Sequence, residues 1–210
     1  MVCVTPTLAA ASVSVCREPE SPAAVVLVLP GGKDRSDRPF RPWQLASVRM
    51  VPFTRDLRRA MSDYAVWQVR YRYRGWNDRD PVRDAAWALD EARRRHPGAP
   101  VILVGHSMGG RVALRVSGDL VVRAVCALAP WLPPDEPVGH LAGQRILIAH
   151  GLDDRITDPE GSARFAERAK AAGAEVTFAP LSGTGHAMLR RAGDWAGLVR
   201  VFCKTSRIRG

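Results

Sequence analysis

Six short apolar runs divide the chain, and they limit its fold more than any other feature. They are Ala24–Leu29, Tyr64–Val69, Val101–Val104, Val122–Ala127, Arg145–Ala149 and Glu175–Ala179. Most are unbroken by polar residues and rich in Val, Ile or Leu. Alternation would mark a sheet with one wet face. Continuity marks strands covered on both faces, as in parallel sheets. Helical patterns lie between the runs. Asp80-Pro81 predicts an N-cap and an N1 proline, and Val82, Ala85, Leu89 and Ala92 then recur at helical spacing up to His96-Pro97-Gly98. A second helix is predicted from Asp158-Pro159, burying Phe165, Ala169 and Ala172 and ending at Gly173. A last one carries Trp195, Leu198, Val199 and Phe202 on one face. This alternation predicts an α/β fold: a doubly wound, mostly parallel sheet of about six or seven strands with helices on both faces. A chain of 210 residues suits one domain over residues 1–210. Within it, residues 1–20 form an N-terminal extension or, at Ser12–Cys16, an added edge strand.

Composition narrows the function classes. Hydrophobic residues make up 46% and charged residues 25%, an ordinary globular mix. The net charge of +10 raises nucleic acid, an anionic membrane or an acidic substrate as partners. Only Lys33, Lys170 and Lys204 are lysines, and the arginines are scattered along the chain. That pattern fits a GC-rich genome better than a binding patch. The densest run, Arg93-Arg94-Arg95, falls in the last turn of a predicted helix, where cations offset the macrodipole. Neither a nucleic-acid nor a membrane partner is therefore expected. The four cysteines, Cys3, Cys16, Cys126 and Cys203, form no C-x-x-C pair, which points to free thiols in a reducing cytoplasm. No basic segment followed by an apolar stretch opens the chain, so no signal peptide is expected. No apolar run approaches the ~18 residues of a membrane-spanning helix.

The chemistry is concentrated in Val101-Ile102-Leu103-Val104-Gly105-His106-Ser107-Met108-Gly109-Gly110. An apolar strand runs directly into G-x-S-x-G, and a helical pattern through Val112, Ala113 and Val116 follows. A serine on so sharp a strand-to-helix turn has a strained backbone and a projecting hydroxyl. Glycines two positions before and after it remove Cβ atoms that would clash. The helix N-terminus supplies free N–H groups, and the N–H of Met108 is a natural oxyanion donor. The stretch Gly105–Gly110 resembles the nucleophile elbow of α/β-hydrolase-fold esterases, lipases and peptidases.

That resemblance implies the order Ser, then Asp or Glu, then His. His150-Gly151-Leu152-Asp153-Asp154 follows an apolar run and is similar to the family's H-G-x-x-D segment, which aligns the acid with Asp154 and leaves Asp153 as the alternative. His150 reads as a structural residue at the strand end. His186 lies in the loop after the last predicted strand, the family's position for the base. Pro30-Gly31-Gly32-Lys33 follows the first core strand, where relatives often carry H-G-x. By that alignment Gly32 is the second oxyanion donor, with Lys33 its rival.

The resemblance implies a lidless serine hydrolase acting on small to medium acyl esters through Ser107, His186 and Asp154 and an acyl-enzyme, with no metal or organic cofactor needed. Lids in this family enter at the connection that here is only Trp131–Gln144. Trp131, Lys33 and Tyr71 are candidate substrate contacts, and Tyr73 and Trp76 could serve likewise, because ligands bind at strand C-termini in open α/β sheets. A thioesterase or small peptidase would share this machinery. A ligand receptor or scaffold on the same fold is the non-enzyme alternative. Oligomeric state stays open.

Overall fold

The structure is a computed structural model and describes residues 10–206; Cys3 lies outside them. Strands β1 (Ser12–Arg17), β2 (Ala24–Leu29), β3 (Tyr64–Arg70), β4 (Val101–His106), β5 (Val122–Leu128), β6 (Arg145–Gly151) and β7 (Glu175–Leu181) form a single sheet. Its order is β1-β3-β2-β4-β5-β6-β7. Every pairing is parallel except that of β1 with β3. Each of the six apolar runs is a strand, and Ser12–Cys16 is the antiparallel edge.

The helices are α1 (Leu45–Val48), α2 (Val51–Ala60), α3 (Asp80–Arg95), α4 (Met108–Val116), α5 (Pro159–Ala171) and α6 (Ala192–Thr205). They cover both faces, and the pleat of each strand decides which face receives which residue. Val25, Leu27 and Leu29 pack with α3, α4 and α5 through Ala88, Leu89, Val112 and Phe165. Ala24, Val26 and Val28 pack with α2 and α6 through Phe53, Leu57, Trp195 and Phe202.

Three local expectations are adjusted. Asp80 is the first helical residue rather than the cap, which is Arg79 in the left-handed region at φ 60°. Ala172 caps α5 and is only partly buried, while Gly173 takes φ +92° as a glycine C′ residue can. The pair α1 and α2 was not anticipated. The basic run ending α3 is engaged in ion pairs: Arg93 with Asp90 and Asp119, Arg94 with Glu91, and Arg95 with Glu18. Among the described residues no helix is long and apolar enough to cross a membrane, and Cys16, Cys126 and Cys203 are free.

The parallel arrangement brings the C-terminal ends of β2, β4, β5, β6 and β7 to one rim. The Trp131–Gln144 connection holds only a 3-10 turn at Gly139–Leu141, so no lid domain covers that rim. The sheet centre carries the stability. Leu103→Ala, at a side chain with no solvent exposure, is expected to lower stability by about 2–5 kcal/mol, a fall in Tm of roughly 5–15 °C. Leu120→Ala, at a fully exposed position, is expected to stay within about 0.5 kcal/mol. Equal losses in thermal melts would contradict this core.

Candidate active site

The turn after β4 is as sharp as its sequence demands. Ser107 sits at φ 55° and ψ −118°, outside the regions that L-residues favour. Such a conformation costs on the order of 1–3 kcal/mol and persists only where its surroundings hold it. The Ser107 N–H donates to the Leu128 carbonyl at 3.0 Å, and the Ser107 carbonyl accepts from Trp131 N–H at 3.1 Å. The flanking glycines are sterically required, for two different reasons. A Cβ on Gly105 would lie 2.1 Å from the Gly109 carbonyl oxygen. A Cβ on Gly109 would lie 2.1 Å from the carbonyl oxygen of Leu29 at the end of β2. The second glycine thus lets the elbow dock against the neighbouring strand.

His186 lies in the loop after β7, and its Nε2 is 3.1 Å from Ser107 Oγ. Its Nδ1 is 2.8 Å from Asp154 Oδ2. Asp154 follows β6 and is buried, whereas Asp153 is exposed. Gly151 permits the approach of the two loops, since a Cβ there would lie 2.3 Å from the Thr184 carbonyl oxygen. Asp154 Oδ1 accepts from the N–H groups of Ile156 at 2.7 Å and Thr157 at 3.0 Å. Burial alone would raise this carboxyl. The hydrogen bonds from His150, His186, Ile156 and Thr157 outweigh burial and hold it far below the usual carboxylate range. It is an anion at every working pH.

Sequence reasoning missed Thr157. Its Oγ1 lies 2.8 Å from Asp154 Oδ2 and 3.1 Å from His186 Nδ1. The available signal was Asp154-x-x-Thr157, a spacing at which an Asp side chain commonly caps the following backbone N–H groups.

His106 is buried beside the elbow, as its position in the motif suggested. Its ring lies 4.7 Å from that of His186. Its Nε2–H donates to the His186 carbonyl at 2.9 Å, fixing the loop that carries His186. Burial pushes its imidazole down to about 3, and the neighbouring His186 adds to the effect.

The candidate substrate contacts separate. Tyr71 is a correction: it is only 2% exposed, packs edge-on against Phe40 and belongs to the core. Burial also raises its phenol well above the ordinary value, with Asp84 adding to this. Trp76 is likewise buried. Trp131 is half-buried, and the Arg111 guanidinium stacks between its ring and that of Trp76, 4.7 Å and 3.9 Å from the two centroids. Arg111 is held in turn by Glu136 at 2.6 Å. Trp131, Thr157 and Phe165 border a cavity of about 560 Å³. A second of about 300 Å³ is walled mostly by apolar groups, including Leu45, Phe53, Ala187 and Met188. Lys33 is exposed, and with Gly31, Gly32 and Arg74 it borders a third of about 260 Å³.

The fold and these contacts define an α/β hydrolase. The Alpha/beta hydrolase family model matches residues 25–201, and the chain belongs to that family. No curated protein matches the sequence. Solved structures resemble it in fold throughout. Est1E from Butyrivibrio proteoclasticus, solved with ferulic acid bound, superposes with a TM-score of 0.72 at 12% identity, covering 95% of each chain. A serine hydrolase without lid from Xanthomonas campestris gives a TM-score of 0.68 at 18% identity, covering 95% of this chain and 90% of its own. An acetyl ester-xyloside bifunctional hydrolase from Caldicellulosiruptor lactoaceticus gives 0.72 at 15% identity, covering 100% and 92%.

The His106 environment makes a stability prediction. Its folded-state value of about 3 lies below the ordinary 6.5. Between those values the unfolded chain binds a proton that the folded chain refuses. This stabilising contribution is complete above about pH 6.5 and is lost as pH falls toward 3, with a slope approaching 1.4 kcal/mol per pH unit, approximately. His106→Gln is expected to be shallower by about that slope between pH 6 and pH 4 in denaturant titrations. Identical slopes would contradict a buried neutral His106.

Proposed function

We propose that this chain is a serine hydrolase that cleaves small to medium acyl esters, with Ser107 as nucleophile, His186 as base and Asp154 as the orienting acid. The reading rests on one observation: a continuous line of contacts, 3.1 Å from Ser107 Oγ to His186 Nε2 and 2.8 Å from His186 Nδ1 to Asp154 Oδ2. His186 Nε2 takes the hydroxyl proton as Ser107 Oγ attacks the acyl carbonyl. Asp154 holds the Nδ1–H tautomer and stabilises the imidazolium. His186 then protonates the leaving alcohol. In the second half, water loses a proton to His186 as it attacks the acyl carbon, and His186 returns that proton to Ser107 Oγ as the acid departs.

The tetrahedral oxyanion needs at least two donors. Met108 N–H stands at the first turn of α4. For the second, the hydrogen bonds favour Gly32 over Lys33. The Lys33 N–H already donates to the Arg74 carbonyl at 2.8 Å, whereas the N–H groups of Gly32 and Met108 have no partner among the described residues. Gly32 also lies against Met108, since a Cβ on it would come 2.4 Å from the methionine methyl.

The open rim and the cavities beside it support a small to medium acyl substrate. The apolar cavity adjoining Ala187 suits a short hydrocarbon chain, and Trp131 and Lys33 remain candidate contacts on two other sides. The likeness in fold to an esterase from Pyrococcus furiosus and to the acetyl ester-xyloside bifunctional hydrolase supports an ester as the substrate.

The protein is expected to hydrolyse short-chain p-nitrophenyl esters, and Ser107→Ala to lose on the order of 10⁴–10⁶ in kcat. Asp154→Asn is expected to lose on the order of 10³–10⁴, while Asp153→Asn stays within a few-fold of wild type. Undiminished activity in Ser107→Ala, or a larger loss in Asp153→Asn, would overturn the assignment.

A further inference from the structure

His186 is not the only histidine on Asp154. His150, at the end of β6 and fully buried, brings its Nε2 to 3.1 Å from Oδ2, the same oxygen that faces His186 Nδ1. The other ring nitrogen of His150, Nδ1, is 2.8 Å from Oγ of Ser162, a fully buried residue of α5. One tautomer satisfies all three groups. Ser162 donates its hydroxyl hydrogen to His150 Nδ1, and the Nε2–H of His150 donates to the carboxylate. Asp154 therefore stands between two Ser–His arms. One reaches the open rim at Ser107. The other ends inside the protein, where no substrate can reach Ser162.

We propose, resting on the triad reading above, that His150 is a positioning residue: locked by Ser162, it fixes the Asp154 carboxylate and draws off part of its charge, so that His186 faces a weakened anion. A carboxylate with several donors is less basic and holds a neighbouring imidazolium less strongly. Oδ2 takes His150, Thr157 and His186, while Oδ1 takes two backbone N–H groups. Removing the His150 donor returns charge to the side facing His186. The imidazolium is then held more tightly, and the base is lost at a higher pH.

Thr157 Oγ1 also lies 3.2 Å from His150 Nε2. The His106 ring lies tilted against that of His186, and Arg49 and Asp154 are the further charges felt by His106. His106 stays neutral across the working range, since burial sets its value near 3. It does not supply the acid limb.

The test is the pH profile of kcat/KM on p-nitrophenyl butyrate for wild type, His150→Phe, His150→Gln, Ser162→Ala and Ser107→Ala. His150→Phe removes the donor and should move the midpoint of the acid limb upward by about half to one unit. Ser162→Ala, which deletes a single oxygen, should move it in the same direction by less. His150→Gln, whose amide can donate to Oδ2, should restore most of the wild-type midpoint. Variants that lose activity equally at every pH, with the midpoint unmoved, would overturn the proposal and leave His150 a packing residue. A wild type no more active than Ser107→Ala would instead overturn the triad reading, and this proposal with it.

Discussion

A parallel sheet delivers all its strand C-termini to one edge, and the candidate site depends on that constraint. Ser107 follows β4, Asp154 follows β6 and His186 follows β7. In sequence they lie 47 and 32 residues apart, by their numbers. In the fold they occupy neighbouring strand ends, with β5 between the first two. No local propensity makes these side chains meet. The stacking of apolar strands does so, through the burial of Leu27, Leu103, Val125 and Ile148 beneath α3, α4 and α5.

That burial also sustains an arrangement unfavourable by itself. A serine at φ 55°, a carboxylate out of water and two buried imidazoles each oppose folding when isolated. Hydrogen bonds offset them in turn. Leu128 and Trp131 hold the elbow backbone, and five donors surround Asp154. The His186 loop is tied to the elbow through His106. The result is a hydroxyl beside an imidazole whose partner and orientation are fixed before any substrate arrives, the condition that preorganised catalysis would require.

Much of this was legible in the sequence because its signals are local. Unbroken Val, Ile and Leu runs mark strands wherever they lie, and G-x-S-x-G after such a run marks the elbow. What escaped depends on distant packing. The stretch Leu45–Ala60 hides two helices because Pro52 interrupts an apparent pattern, although it sits in the first turn of α2, where proline is tolerated. Tyr71 follows a strand end as a ligand contact would, but it packs edge-on against Phe40 in the core. Lys33 competes with Gly32 in any alignment, and the hydrogen bond from the Lys33 N–H to Arg74, 41 residues on by number, is visible only in the fold. His150 was legible as a structural residue, while its tie to Ser162 required the position of α5.

The central claim is that one serine is made nucleophilic by the histidine beside it. Treatment with a fluorophosphonate followed by peptide mass spectrometry addresses it directly. The account predicts a single covalent adduct on Ser107 that fails to form in folded His186→Ala protein. An adduct on another residue, or equal labelling without the histidine, would contradict it.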